Sequence, residues 1–127
     1  MQKTASSTQG TPQFGTELAL DLVGDKWTLQ VFKALRQGHR RYGALLRAIP
    51  DITRKMLTQT LRKMERDGLL ERVDYGEMPL RVEYFISQAG EALLSRLCSL
   101  CEWTKAYFAD VEAARQRYDT DAETLGA

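Results

Sequence analysis

The stretch TRKMLTQTLRKMERDGLLERV, Thr53 to Val73, decides how the chain folds. At about 100° per residue, Met56, Leu57, Thr60, Leu61 and Met64 fall on one side of a helix. Lys55, Thr58, Gln59, Arg62 and Arg66 fall on the other, with Arg54 at the margin. Thr53 suits the N-cap, Ile52 can staple onto Leu57, and Asp67-Gly68 closes the helix. The underside is oily and the outer face is nearly all positive, whereas a solvated helix normally mixes its signs.

Working outward, the segment just upstream, Tyr42 to Ile49 (YGALLRAI), is helical, and Pro50 forbids its continuation. A short helix, a tight Pro-Asp turn and a capped second helix are the pattern of a helix-turn-helix. Before it, Thr16 to Val23 reads as a short helix stopped by Gly24. Asp25 can cap a helix from Lys26 to Arg36 that repeats Trp27, Val31, Ala34 and Leu35 at helical spacing, with Trp27 as a core anchor. After Gly68 the pattern changes to period two: Leu69, Val73 and Tyr75, then Val82, Tyr84 and Ile86 beyond the turn Gly76-Glu77-Met78-Pro79. These runs predict a hairpin, hence a wing. Ser87 then caps a helix reaching about Tyr118, with the stripe Leu93, Leu97, Leu100, Thr104, Tyr107, Val111 and Ala114 beside a second stripe, Leu94, Cys98, Cys101 and Phe108. Two stripes exceed what one small domain can cover, so a second copy is expected to cover the remainder.

The predicted fold is mainly α with a small β-hairpin: a winged helix-turn-helix domain over residues 16–118 that includes a long C-terminal dimerisation helix. Residues 1–15 read as a flexible arm and 119–127 as a polar tail. The 127 residues suffice for one ordinary domain. No apolar run is long enough to span a bilayer, and the N-terminus lacks the apolar core of a secretory signal, so a cytoplasmic location is expected. Two cysteines make no disulfide framework. No catalytic triad, phosphate-binding glycine loop or metal-ligand cluster is visible, which argues against an enzyme, a metal or a cofactor. Cys98 and Cys101 form a C-x-x-C, but it falls mid-helix and His39 is the sole histidine. Packing explains both thiols, with oxidation sensing at the dimer seam as the weaker alternative.

The net charge is only +1, yet Arg36 to Arg66 holds nine of the 18 basic residues and two of the 17 acidic ones. So uneven a distribution is the footprint of a polyanion site. Lys and Arg can bond guanine, Gln adenine, and Thr a base edge or the thymine methyl. Thr53, Arg54, Lys55, Thr58 and Gln59, at the N-terminal end of a recognition helix, are therefore the expected base readers, with Arg62 and Arg66 leaning to phosphate. Arg72 and Arg81, expected near the wing tip, either meet DNA or form cross-strand pairs with Glu71, Glu77 or Glu83. Arg40 and Arg41 are candidate phosphate clamps. The expected function is a homodimeric, sequence-specific regulator of transcription, a repressor, on a near-palindromic site in double-stranded DNA, with a small-molecule effector left open. A protein–protein module and a non-specific nucleic-acid binder are the alternatives. Phe14, Trp103, Tyr107 and Phe108 suit either an effector pocket or the core.

The segments DLVGDKWTLQVFKAL, RRYGALLRAIPDITRKMLTQTLRKMERDGLLERVDY, MPLRVEYFIS and AGEALL resemble the HxlR-type winged-helix regulators, distant relatives of MarR, from about Leu18 to Trp103. The resemblance implies DNA-binding homodimers joined through their first and last helices, many answering to electrophiles, oxidants or metabolites. It also implies that Thr53, Arg54, Lys55, Thr58, Gln59 and Arg62 lie on the recognition helix and Arg81 on the wing. Redox-sensing members carry a cysteine where this chain has Phe14, so sensing by that route is closed to it. Pro79-Leu80 replaces the two prolines frequent before the wing arginine.

Overall fold

A computed structural model describes residues 11–124 and 126. The elements are α1 (Thr11–Val23), α2 (Trp27–Arg36), α3 (Tyr42–Ala48), α4 (Arg54–Arg66), β1 (Leu70–Asp74), β2 (Val82–Ile86) and α5 (Gln88–Thr124). Residues through Ala92 form one compact unit, and those from Leu93, the body of α5, form a second. The fold is the expected winged helix-turn-helix, with two helix ends placed differently. α1 begins at Thr11, inside the expected arm, because Pro12 fits a first turn where its missing N–H is not needed. Residues 1–10 of that arm lie outside the described residues. α5 runs on to Thr124, through most of the expected polar tail, since neither Gly nor Pro interrupts the chain between Gly90 and Gly126.

The core of the first unit is Val31, Phe32, Ala34 and Leu35 of α2, Leu45 of α3, Leu57, Leu61 and Met64 of α4, and Leu69-Leu70. Asp25 Oδ1 accepts from the backbone N–H of Trp27 and Thr28 at 2.8 and 2.9 Å, so it caps α2 as expected. Trp27 itself is only half-buried: the first position of the helix puts it at the rim, under the Lys26 ammonium at 4.8 Å.

Two glycines close the helices on either side of the turn region. Gly38 (φ 106) and Gly68 (φ 76) hold the left-handed conformation that ends α2 and α4. In each case the next residue donates back to the last turn: His39 to Ala34 and Leu69 to Met64, at 3.1 and 2.9 Å. The α4 cap thereby delivers Leu69 and Leu70 straight into the core and starts the hairpin. β1 and β2 pair antiparallel with Leu70 opposite Ile86, Arg72 opposite Tyr84 and Asp74 opposite Val82. Tyr84 N–H donates to the Arg40 carbonyl at 2.9 Å, which fastens the wing to the α2–α3 connection.

Candidate nucleic-acid interface

α4 presents the face read from the sequence. Thr53 caps it, its hydroxyl accepting from Met56 N–H at 3.1 Å. Leu57, Thr60, Leu61 and Met64 are buried, while Arg54, Lys55, Gln59, Arg62 and Arg66 are exposed. Thr58 differs from the others. The Tyr42 hydroxyl donates to the Arg54 carbonyl at 3.0 Å and lies 2.9 Å from Thr58 Oγ1, so the Thr58 hydroxyl is the donor to Tyr42. Its O–H is committed to α3, and Tyr42 acts as a brace that fixes the angle between the two helices. Sequence reading took Tyr42 only as a helix start; a tyrosine at a helix N-terminus gives no sign of which carbonyl its hydroxyl will reach. Lys63, on the helix flank, donates to the Asp21 carbonyl at 2.7 Å and pairs with Asp67 at 3.4 Å.

The two wing arginines part company. Arg81, at the tip, stacks its guanidinium 3.7 Å above the Tyr75 ring. Its Nη2 donates to Glu77 Oε2 at 3.2 Å, and its Nε lies 3.1 Å from Oε1 in an ion-pair contact too bent for a hydrogen bond. Of the acidic partners expected for Arg81, it takes Glu77, within the turn and not across the strands. Tyr75 in turn donates its hydroxyl to Glu83 Oε1 at 2.9 Å, and this hydrogen bond, then burial and the Glu83 charge, raise its pKa.

Arg72 lies mid-strand opposite Tyr84, not near the tip as expected, because β1 runs from Leu70 to Asp74 with Arg72 at its centre and the connection from Tyr75 to Arg81 carries the tip away from it. It has no ion-pair partner among the described residues, and it faces a cleft of about 410 Å³ shared with Arg62, Tyr42, Thr58, Tyr84 and Glu65. Arg62 and Arg72, from helix and wing, therefore line one cleft together with the carboxylate of Glu65. Arg40 sits with its guanidinium 5.1 Å from the Phe85 ring, and Arg41 donates to the Leu80 carbonyl at 3.1 Å, tying α3 to the wing tip. Cys98 and Cys101 are free and half-buried on α5. Among the described residues no group of His, Cys, Asp or Glu is placed to hold a metal ion, and no helix is long and apolar enough to cross a membrane.

A capped helix with a buried underside, an exposed cationic and amide-bearing face and a flanking arginine-bearing wing define a DNA-binding transcriptional regulator of the winged helix-turn-helix class. Within that class, the chain belongs to the HxlR-like helix-turn-helix family, whose model matches residues 22–112. It is 43% identical over 91 residues to an HTH-type transcriptional regulator of Methanothermobacter thermautotrophicus, covering 72% of this chain and 70% of the relative. Among solved structures it resembles a MarR-family transcriptional regulator from Enterococcus faecalis V583, at a TM-score of 0.69 and 38% identity over 90% of this chain and 99% of the other. It also resembles the redox regulator HypR in its reduced form, at a TM-score of 0.70 and 32% identity over 78% and 98% of the two chains.

Proposed function

We propose that this chain acts as a homodimer that binds a near-palindromic site in double-stranded DNA sequence-specifically and represses transcription there. The observation that carries the reading is the outer face of α4, where Arg54, Lys55, Gln59, Arg62 and Arg66 are exposed together. Arg54, Lys55 and Gln59, on the first turns, read bases. Thr53 and Thr58 read them with what their hydroxyls leave free, which makes the thymine methyl the natural target of Thr58. Arg62, Arg66, Arg72, Arg81, Arg40 and Arg41 take phosphates. Two such helices set about 34 Å apart by a two-fold axis read successive major grooves.

Selection of bound duplexes from a random pool tests this. Gln59→Ala is expected to lose preference at defined positions, whereas Arg62→Ala weakens all sites alike and lowers the slope of log affinity against log salt by about one. Enrichment of no sequence, with salt-dependent binding retained, indicates non-specific packaging. Indifference to every duplex at low salt indicates a protein–protein module and ends the proposal.

A thiol response is a second reading, favoured by the relative HypR, solved as a redox regulator in both reduced and oxidised forms. The Phe14 side chain lies outside the described part of the chain, and Cys98 and Cys101 are the thiols available. Peroxide would take two electrons from a pair of these thiols across the dimer seam, giving a disulfide and water. A peroxide-induced change in DNA affinity that vanishes in Cys98→Ser or Cys101→Ser supports this reading; one that persists in both variants removes it.

A further inference from the structure

The cleft on the other side of the wing from Arg72 is rich in cationic side chains. Its volume is about 670 Å³, and its lining includes His39, Arg40, Arg41, Arg47, Glu83 and Phe85. Strand alternation places Glu83 and Phe85 on the face of β2 opposite Tyr84, so this cleft and the α4 cleft flank the same strand. Three arginines line the former. Arg40 is held against Phe85 and Arg41 against the Leu80 carbonyl, so two of the three are positioned before any ligand arrives. Arg47 folds back across the first turn of α3, its Nη1 3.4 Å from where a Cβ on Gly43 would stand. The one lining carboxylate, Glu83, already accepts from the Tyr75 hydroxyl. None of Arg40, Arg41 and Arg47 has a carboxylate partner among the described residues.

Three arginines against the single carboxylate of Glu83 leave an excess of positive charge, and an anion relieves the repulsion within it. We infer that the cleft formed by Arg40, Arg41 and Arg47 between α3 and the outer face of β2 is a binding site for a phosphate group. Arg47 is the residue that distinguishes it from the clamp of Arg40 and Arg41. The phosphate comes either from the DNA backbone beyond the groove occupied by α4, which rests on the function proposed above, or from a free phosphorylated molecule, which does not.

Two measurements separate these sources. In the first, inorganic phosphate is titrated against chloride at matched ionic strength while the melting temperature is followed without DNA. A saturable rise in the wild type that Arg47→Gln abolishes supports a free-anion site. In the second, duplex affinity is measured against salt for the wild type, Arg47→Gln and Arg115→Gln, the last removing an exposed charge on α5. A slope lowered by about one in Arg47→Gln alone supports a backbone phosphate. Absence of a saturable phosphate response, together with a slope that Arg47→Gln changes no more than Arg115→Gln, overturns the inference. If the wild type binds no duplex, the proposed function fails while the phosphate titration still judges the cleft.

Discussion

A surface arginine is worth what its neighbours leave of it. Arg62 and Arg72 are exposed at the rim of one cleft with a single carboxylate in its lining, whereas Arg81 is already neutralised by Glu77 and stacked on Tyr75. An exposed pair of this kind contributes only about 0–1 kcal/mol to stability. Its larger effect is on binding, because Glu77 competes with phosphate for the same guanidinium. Glu77→Gln is therefore expected to leave the melting temperature nearly unchanged, to tighten duplex binding and to steepen its salt dependence by about one phosphate equivalent. Unchanged or weaker binding in a filter or anisotropy titration would mean that Glu77 aims Arg81 instead of restraining it. Thr58 teaches a related lesson. On a helical wheel it is one more polar residue of the outer face, and only the reach of Tyr42 from another helix reveals that its hydroxyl is spoken for.

Elements meet where side chains are smallest. Ser87 caps α5, its hydroxyl accepting from Gly90 N–H at 3.0 Å and donating to the Gly68 carbonyl at 2.6 Å, so the start of α5 is sewn to the end of α4. Gly90 lies against the same corner. A Cβ there would collide with the Leu69 carbonyl oxygen and stand 2.8 Å from Ile86 Cγ2. Gly90→Ala gains helix propensity of up to about 1 kcal/mol, yet overpacking typically costs about 1–3 kcal/mol. The net expectation is destabilisation, read as a lower denaturation midpoint at unchanged slope; a raised midpoint would show that α5 can shift away. The helix-turn-helix was legible at this scale because caps, Pro50 and the apolar stripe are local signals. Strand register was not: the period-two pattern announced a hairpin, but which residues face each other follows from where the Gly68 cap delivers Leu70.

At the scale of the whole molecule, α5 exposes Leu100, Trp103, Tyr107, Phe108 and Tyr118, with Trp103 and Tyr107 stacked at 5.4 Å. Leu18 and Leu20 of α1 are exposed as well. An apolar stripe of this length on a monomer's surface is the kind of surface a second copy covers. Trp103→Glu puts a charge in the stripe without disturbing a packed core. Sedimentation is expected to show a dimer for the wild type and a shift to monomer for the variant, with duplex affinity falling because two linked half-sites become independent. A wild type that sediments as a monomer at micromolar concentration would remove the dimer.

The order of residues alone determined that there is a capped basic helix after a tight turn, a wing behind it and a long apolar-striped helix at the end. Helical and strand periodicity, caps and breakers act within a few residues of one another, so each can be read along the chain. Tertiary structure alone decided which charges remain available. It spent Arg81 on Glu77 and the Thr58 hydroxyl on Tyr42, drew Arg72 beside Arg62, and gathered Arg47 with Arg40 and Arg41. Electrostatic and hydrogen-bond partners are set by distance in space, and most of these are many residues apart in the chain.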